Sequence, residues 1–155
     1  MRNLPFLAAV CVGLYANPLE AAPRGPEADV LAMINAARVQ HGCKPLRVEA
    51  RLSEAAERQS RGMAERHYFS HNAPDGSTPG KRVKDTGYAY QMVGENIEIN
   101  SEDPEAVVST WMNSPGHRQN ILMCAFKETG IAMYQTDDAE AYWTQVFAMP
   151  LNLGK

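Results

Sequence analysis

The chain has 155 residues, 45% of them apolar and 21% charged, with a formal net charge of −3. That length suits one domain around one core, and the balance is that of a soluble globular protein. Its basic residues are scattered rather than gathered into a stripe, which argues against nucleic acid or an anionic membrane surface as a partner.

The N-terminus is a different kind of sequence. Arg2 is followed by a nearly continuous apolar run, Leu4 to Tyr15, and then by Leu19-Glu20-Ala21-Ala22 with its small residues. This is the pattern of a signal peptide, residues 1–21, cleaved after Ala21. The apolar run is too short to span a bilayer, so no membrane span is expected after cleavage. The mature protein is therefore expected to be secreted or periplasmic. It keeps two cysteines, Cys43 and Cys124, and an oxidising compartment favours joining them. The bridge would close a loop of about eighty residues and contribute on the order of 4 kcal/mol.

After a short lead-in at 22–26, apolar residues at helical spacing (Val30, Leu31, Met33, Ile34, Ala37) begin at Pro26, and Gly42 stops them. Cys43-Lys44-Pro45-Leu46 reads as a turn. A second helix carries Leu52, Ala55, Ala56, Gln59, Ser60 and Met63 on one side, with Arg and Glu residues on a solvated face. His67 and His71 stand four apart but lack the glutamate of an HExxH zinc helix. A turn-dense loop, 72–80, leads to Thr78-Pro79, the cap and first position of a short helix that ends at Gly87 and buries Val83. Residues 88–99 read as a short, irregular strand with Gly94 at a bulge or close approach. Pro104 and Pro115 each start a helix, which places His117 in the first turn of the second. Residues 128–135 and 141–149 are strands with large side chains on both faces, joined by a turn. Such strands are covered on both sides, so helices should flank a largely antiparallel sheet. A tail, 151–155, follows.

Gly94-Glu95-Asn96-Ile97 is the stretch that stands out, because a carboxylate sits inside an apolar run. His71 lies about two dozen residues before it and His117 about two dozen after. Convergence of His71, Glu95 and His117 would allow three chemistries. Two imidazoles and a carboxylate match the ligand count of a catalytic zinc site, so a divalent metal such as zinc is one candidate cofactor. Glu95 could instead orient a histidine base beside Ser70 or Ser114. The third possibility is a self-satisfied polar cluster without chemistry. Gln145 and Asn120 are further expected members of the cleft. His41, His67 and Glu98 read as surface residues, and Trp111, Trp143 and Phe147 as core.

The ordered motifs Phe69-Ser70-His71, Asp75-Gly76-Ser77, Gly94-Glu95-Asn96-Ile97, Trp111 to Arg118, Asn120-Ile121-Leu122 and Tyr142 to Phe147 closely resemble the CAP superfamily. This superfamily comprises the cysteine-rich secretory, antigen 5 and pathogenesis-related class one (SCP-domain) proteins, and the chain is similar to its compact bacterial branch. The resemblance covers residues 27–150. It implies an α+β fold, a three-layer α-β-α sandwich. In animal and plant members two histidines and two glutamates can bind a divalent metal. His71 and Glu95 match two of those positions. Asn113 and Ser114 stand where the second glutamate would be, Tyr142-Trp143 where the second histidine would be, and His117 is offered in their stead. The resemblance implies a non-catalytic binding module for a small ligand, lipid, cell-envelope component or protein. The alternative is a metal-assisted or Ser/His-type hydrolase of peptide or envelope substrates.

Overall fold

A computed structural model describes residues 25–151; the expected signal peptide, most of the lead-in and the end of the tail lie outside the described residues. In chain order the elements are α1 (Pro26–Gln40), β1 (Arg47–Val48), α2 (Ala50–Glu65), α3 (Pro79–Asp85), β2 (Tyr90–Ile99), α4 (Pro104–Asn113), α5 (Pro115–Leu122), β3 (Glu128–Gln135) and β4 (Ala141–Pro150). Prolines open α1, α3, α4 and α5, where a missing N–H costs nothing and a fixed φ helps. Thr78 caps α3 by accepting from Lys81 N, and Asp103 caps α4 by accepting from Glu105 N.

The sheet runs β1-β3-β4-β2. β4 pairs antiparallel with β2 and β3, whereas β1 pairs parallel with β3. The sheet is therefore mixed rather than mainly antiparallel. The turn expected at Cys43 to Leu46 leads into β1, whose two residues are too few to show a period of two. The β2 strand is also more regular than expected. Its register shifts between Tyr90 and Met92, not at Gly94.

Alternation along β4 sorts the two faces. Trp143 and Phe147 point to one side, where they pack with Val30 and Ile34 of α1, Val107 and Trp111 of α4, and Ile121 of α5. Val146 and Ala148 point to the other side, against Leu52, Ala55 and Ala56 of α2 and Val83 of α3. Both sides of the sheet are thus covered, as the apolar strands required, and the fold is an α-β-α sandwich. Gly130 lets α2 lie directly on β3. A Cβ there would stand 2.0 Å from Ser53 N and 2.1 Å from the Leu52 carbonyl carbon.

Cys43 and Cys124 form the expected disulfide. It ties the segment after α1 to the segment after α5. Beside it lies Arg38, fully buried within α1. Its guanidinium donates to the carbonyls of Lys44, Ile121, Met123 and Phe126 at 3.2, 2.6, 3.1 and 2.9 Å. Two of these carbonyls, Ile121 and Met123, lie at the C-terminal end of α5, where the helix dipole favours a cation.

Candidate functional site at the edge of the sheet

β2 is an edge strand, and its free edge carries the site. Gly94 and Asn96 face α5, whereas Glu95 faces α3. The motif is thus divided between two layers by strand alternation. Gly94 is required by close approach: a Cβ would sit 3.0 Å from the Phe126 ring and 3.1 Å from Asn120 Oδ1. Asn96, fully buried, donates from Nδ2 to the His117 carbonyl at 3.2 Å and accepts from Asn120 Nδ2 at 2.9 Å. Asn120 also donates to the Glu95 carbonyl at 3.2 Å, and the Trp111 indole donates to the Ile97 carbonyl at 3.0 Å. Side chains from α4 and α5 thereby cap an edge that would otherwise pair with another strand.

Glu95 is the hub on the other side. Its side chain is 1% exposed. Oε1 lies 2.9 Å from His71 Nδ1, and Oε2 accepts from Arg82 Nη2 at 2.8 Å. Arg82 is itself buried and donates further to the His71 carbonyl at 2.9 Å and the Ser77 carbonyl at 3.1 Å. It therefore clamps the 71–77 loop onto the carboxylate. Gln59 holds the start of that loop, donating to the Ser70 carbonyl at 2.7 Å. His71 keeps 47% of its side chain exposed, so the site is open to solvent.

His117 sits in the first turn of α5, as expected. Its Nδ1 is buried without a hydrogen-bond partner. Burial holds its pKa below the ordinary 6.5, and the nearby His71 adds to the depression. The ring is therefore neutral at neutral pH.

The structure thus joins His71 to Glu95, sets His117 close enough to His71 for the two to interact electrostatically, and places Asn120 as a brace for the strand. Gln145 is not in this company. It pairs in register with Asn96, on the sheet face opposite the Glu95 side chain, and its Nε2 donates to Thr129 Oγ1 at 3.2 Å. His41 and His67 are exposed, and Trp111, Trp143 and Phe147 are core, as expected. Glu98 is half-buried rather than exposed, and burial raises its pKa. Arg82 was missed altogether. A buried carboxylate demands a cation, but nothing in the sequence names the helix that supplies it.

As arranged, the donor set does not fit a three-ligand metal centre. Among the described residues no three His, Cys, Asp or Glu side chains gather at ligand spacing. Both Glu95 oxygens are engaged, and the Arg82 guanidinium puts a fixed positive charge beside them. A catalytic dyad is not formed either. Among the described residues neither the Ser70 nor the Ser114 hydroxyl is hydrogen-bonded to an imidazole; Ser70 Oγ accepts from Asn72 N at 3.2 Å.

Comparison with known proteins agrees with this architecture. Residues 31–147 match the cysteine-rich secretory protein (CAP) family, and the chain belongs to that family. It is 38% identical over 121 residues to YkwD of Bacillus subtilis (strain 168), covering 78% of this chain and 46% of YkwD. It therefore spans less than half the length of that relative. Among solved structures, an extracellular protein containing an SCP domain from Bacillus anthracis str. Ames is 31% identical, with TM-score 0.74, over 80% of this chain and 40% of that one. An outer surface protein from Borrelia burgdorferi shares the fold, with TM-score 0.76 at 19% identity, over 81% and 92% of the two chains.

Proposed function

We propose that this is an exported, non-catalytic binding domain that holds a hydrogen-bonding component of the cell envelope at the open β2 edge, between His71 and His117. One observation carries the reading. Glu95, whose carboxylate a metal site would need free, is buried with each oxygen already engaged by Arg82 or His71, and among the described residues the imidazole it holds has no serine hydroxyl bonded to it. What faces solvent is polar and imidazole-rich, which suits hydrogen-bond recognition better than an acyl chain. Export is supported by the N-terminal pattern, by the disulfide and by relatives described as extracellular or outer-surface proteins. Among the described residues no helix is long and apolar enough to cross a membrane.

The test is co-sedimentation of the mature protein with purified peptidoglycan sacculi, repeated with His71→Ala/His117→Ala. Retention by the wild type and its loss in the double variant are expected. Equal retention of both proteins would remove the site from the account. Calorimetric titration with Zn²⁺ is expected to give the same heats for wild type, His71→Ala and His117→Ala. A saturable heat that either substitution abolishes would restore the metal reading.

A further inference from the structure

Glu95 also decides what His71 can offer a ligand. It is a carboxylate paired at 2.8 Å with the Arg82 guanidinium, and a carboxylate only accepts hydrogen bonds. In the 2.9 Å bond between its Oε1 and His71 Nδ1, the imidazole is therefore the donor. A neutral ring with its proton on Nδ1 carries a lone pair on Nε2. Among the described residues nothing bonds that nitrogen, and 47% of the His71 side chain is exposed. The same loop holds an aromatic ring in solvent. Tyr68 donates to Gln59 Oε1 at 3.1 Å, Gln59 to the Ser70 carbonyl at 2.7 Å, and Arg82 to the His71 carbonyl at 2.9 Å. Phe69 lies between these anchored positions and is still 49% exposed. Neither neighbouring base offers a charge to an anion. Arg82 is buried, with Nη1 and Nη2 committed to carbonyls and to Glu95, and burial keeps His117 neutral at neutral pH. An acceptor on the same loop as an apolar ring, with no free charge, suits an uncharged O–H donor that has an apolar face of its own.

We infer that the component held at this face is a neutral saccharide, one of whose hydroxyls donates to His71 Nε2 while its C–H face lies on Phe69. The inference rests on the binding function proposed above and names its ligand class. A peptide with free carboxylates would bring acceptors to an acceptor, and it serves as the competing outcome of the test.

The mature protein, ¹⁵N-labelled at histidine, is titrated at neutral pH with the chitin tetrasaccharide and, separately, with an acidic alanyl-glutamate peptide, while the ring nitrogens of His71 are followed by long-range proton–nitrogen spectra. Before ligand is added, the Nδ1–H tautomer is expected. The tetrasaccharide, and not the peptide, should shift Nε2 saturably, with affinity at least about tenfold weaker in Phe69→Ala. Phe69 is exposed, so its removal leaves the core untouched, and Phe69→Trp, which keeps an aromatic face, should bind as the wild type does. An Nε2–H tautomer, no saturable shift with the tetrasaccharide, a response to the peptide instead, or an affinity unchanged in Phe69→Ala would overturn the inference. Sacculus retention is read separately. Retention without a tetrasaccharide response would sink the saccharide class alone, and a tetrasaccharide response without retention would sink the envelope reading alone.

Discussion

His117 is a residue through which mild acidity reaches this fold. Its folded pKa lies below its ordinary 6.5, so between those two values the unfolded chain binds the extra proton and the folded chain does not. Stability is therefore unaffected by this group above about 6.5, falls as pH drops from there toward the depressed value, and levels off below it. Thermal melts at about pH 7.5 and about pH 5 should show a larger loss for the wild type than for His117→Asn. Equal losses would mean that the buried Nδ1 carries no proton penalty. The Gly94-Glu95-Asn96 motif is explained at the same scale. Glycine admits Phe126 and Asn120, glutamate anchors α3 and the 71–77 loop, and asparagine fixes α5. His71 and Glu95 meet, as the family resemblance implied. The sequence could not show Arg82, because the alternation of a strand says which way a carboxylate points and not which helix supplies its counter-charge.

Among the elements, α5 is the one whose position decides the site, since it carries both His117 and Asn120. Eight residues make a marginal helix by themselves, so tertiary contacts must hold it. The disulfide and Arg38 do so from its C-terminal end, and Asn96 from its first turn. Arg38→Met would leave four carbonyls without their charged donor and should cost about 3 kcal/mol or more in urea unfolding. Amide exchange in 115–126 should quicken beyond that in β4. A loss below about 1 kcal/mol would mean that the disulfide alone seats the helix. The proline starts made α3, α4 and α5 readable from sequence. Burial of Arg38 was not readable, because most of its partners are backbone carbonyls more than eighty residues away and carbonyls have no sequence signature.

Over the whole molecule, the sandwich follows from strands that are apolar on both faces and from helices with one apolar side. That much local periodicity can specify. The parallel β1–β3 pairing joins residues about eighty apart through two strand positions, and only the assembled core selects it. The central functional claim also belongs to this scale: Glu95 joins α3, β2 and the 71–77 loop as a structural hub, and the binding face is built on it. A double-mutant cycle in urea with Glu95→Gln and Arg82→Met tests this most directly. Each single change is expected to cost about 3–5 kcal/mol, because it strands a buried charge or its partner, and the pair together should cost less than the sum by at least about 1 kcal/mol. A neutral or stabilising Glu95→Gln, within about 0.5 kcal/mol of wild type, is what a carboxylate held in reserve for chemistry would give, and it would contradict the account.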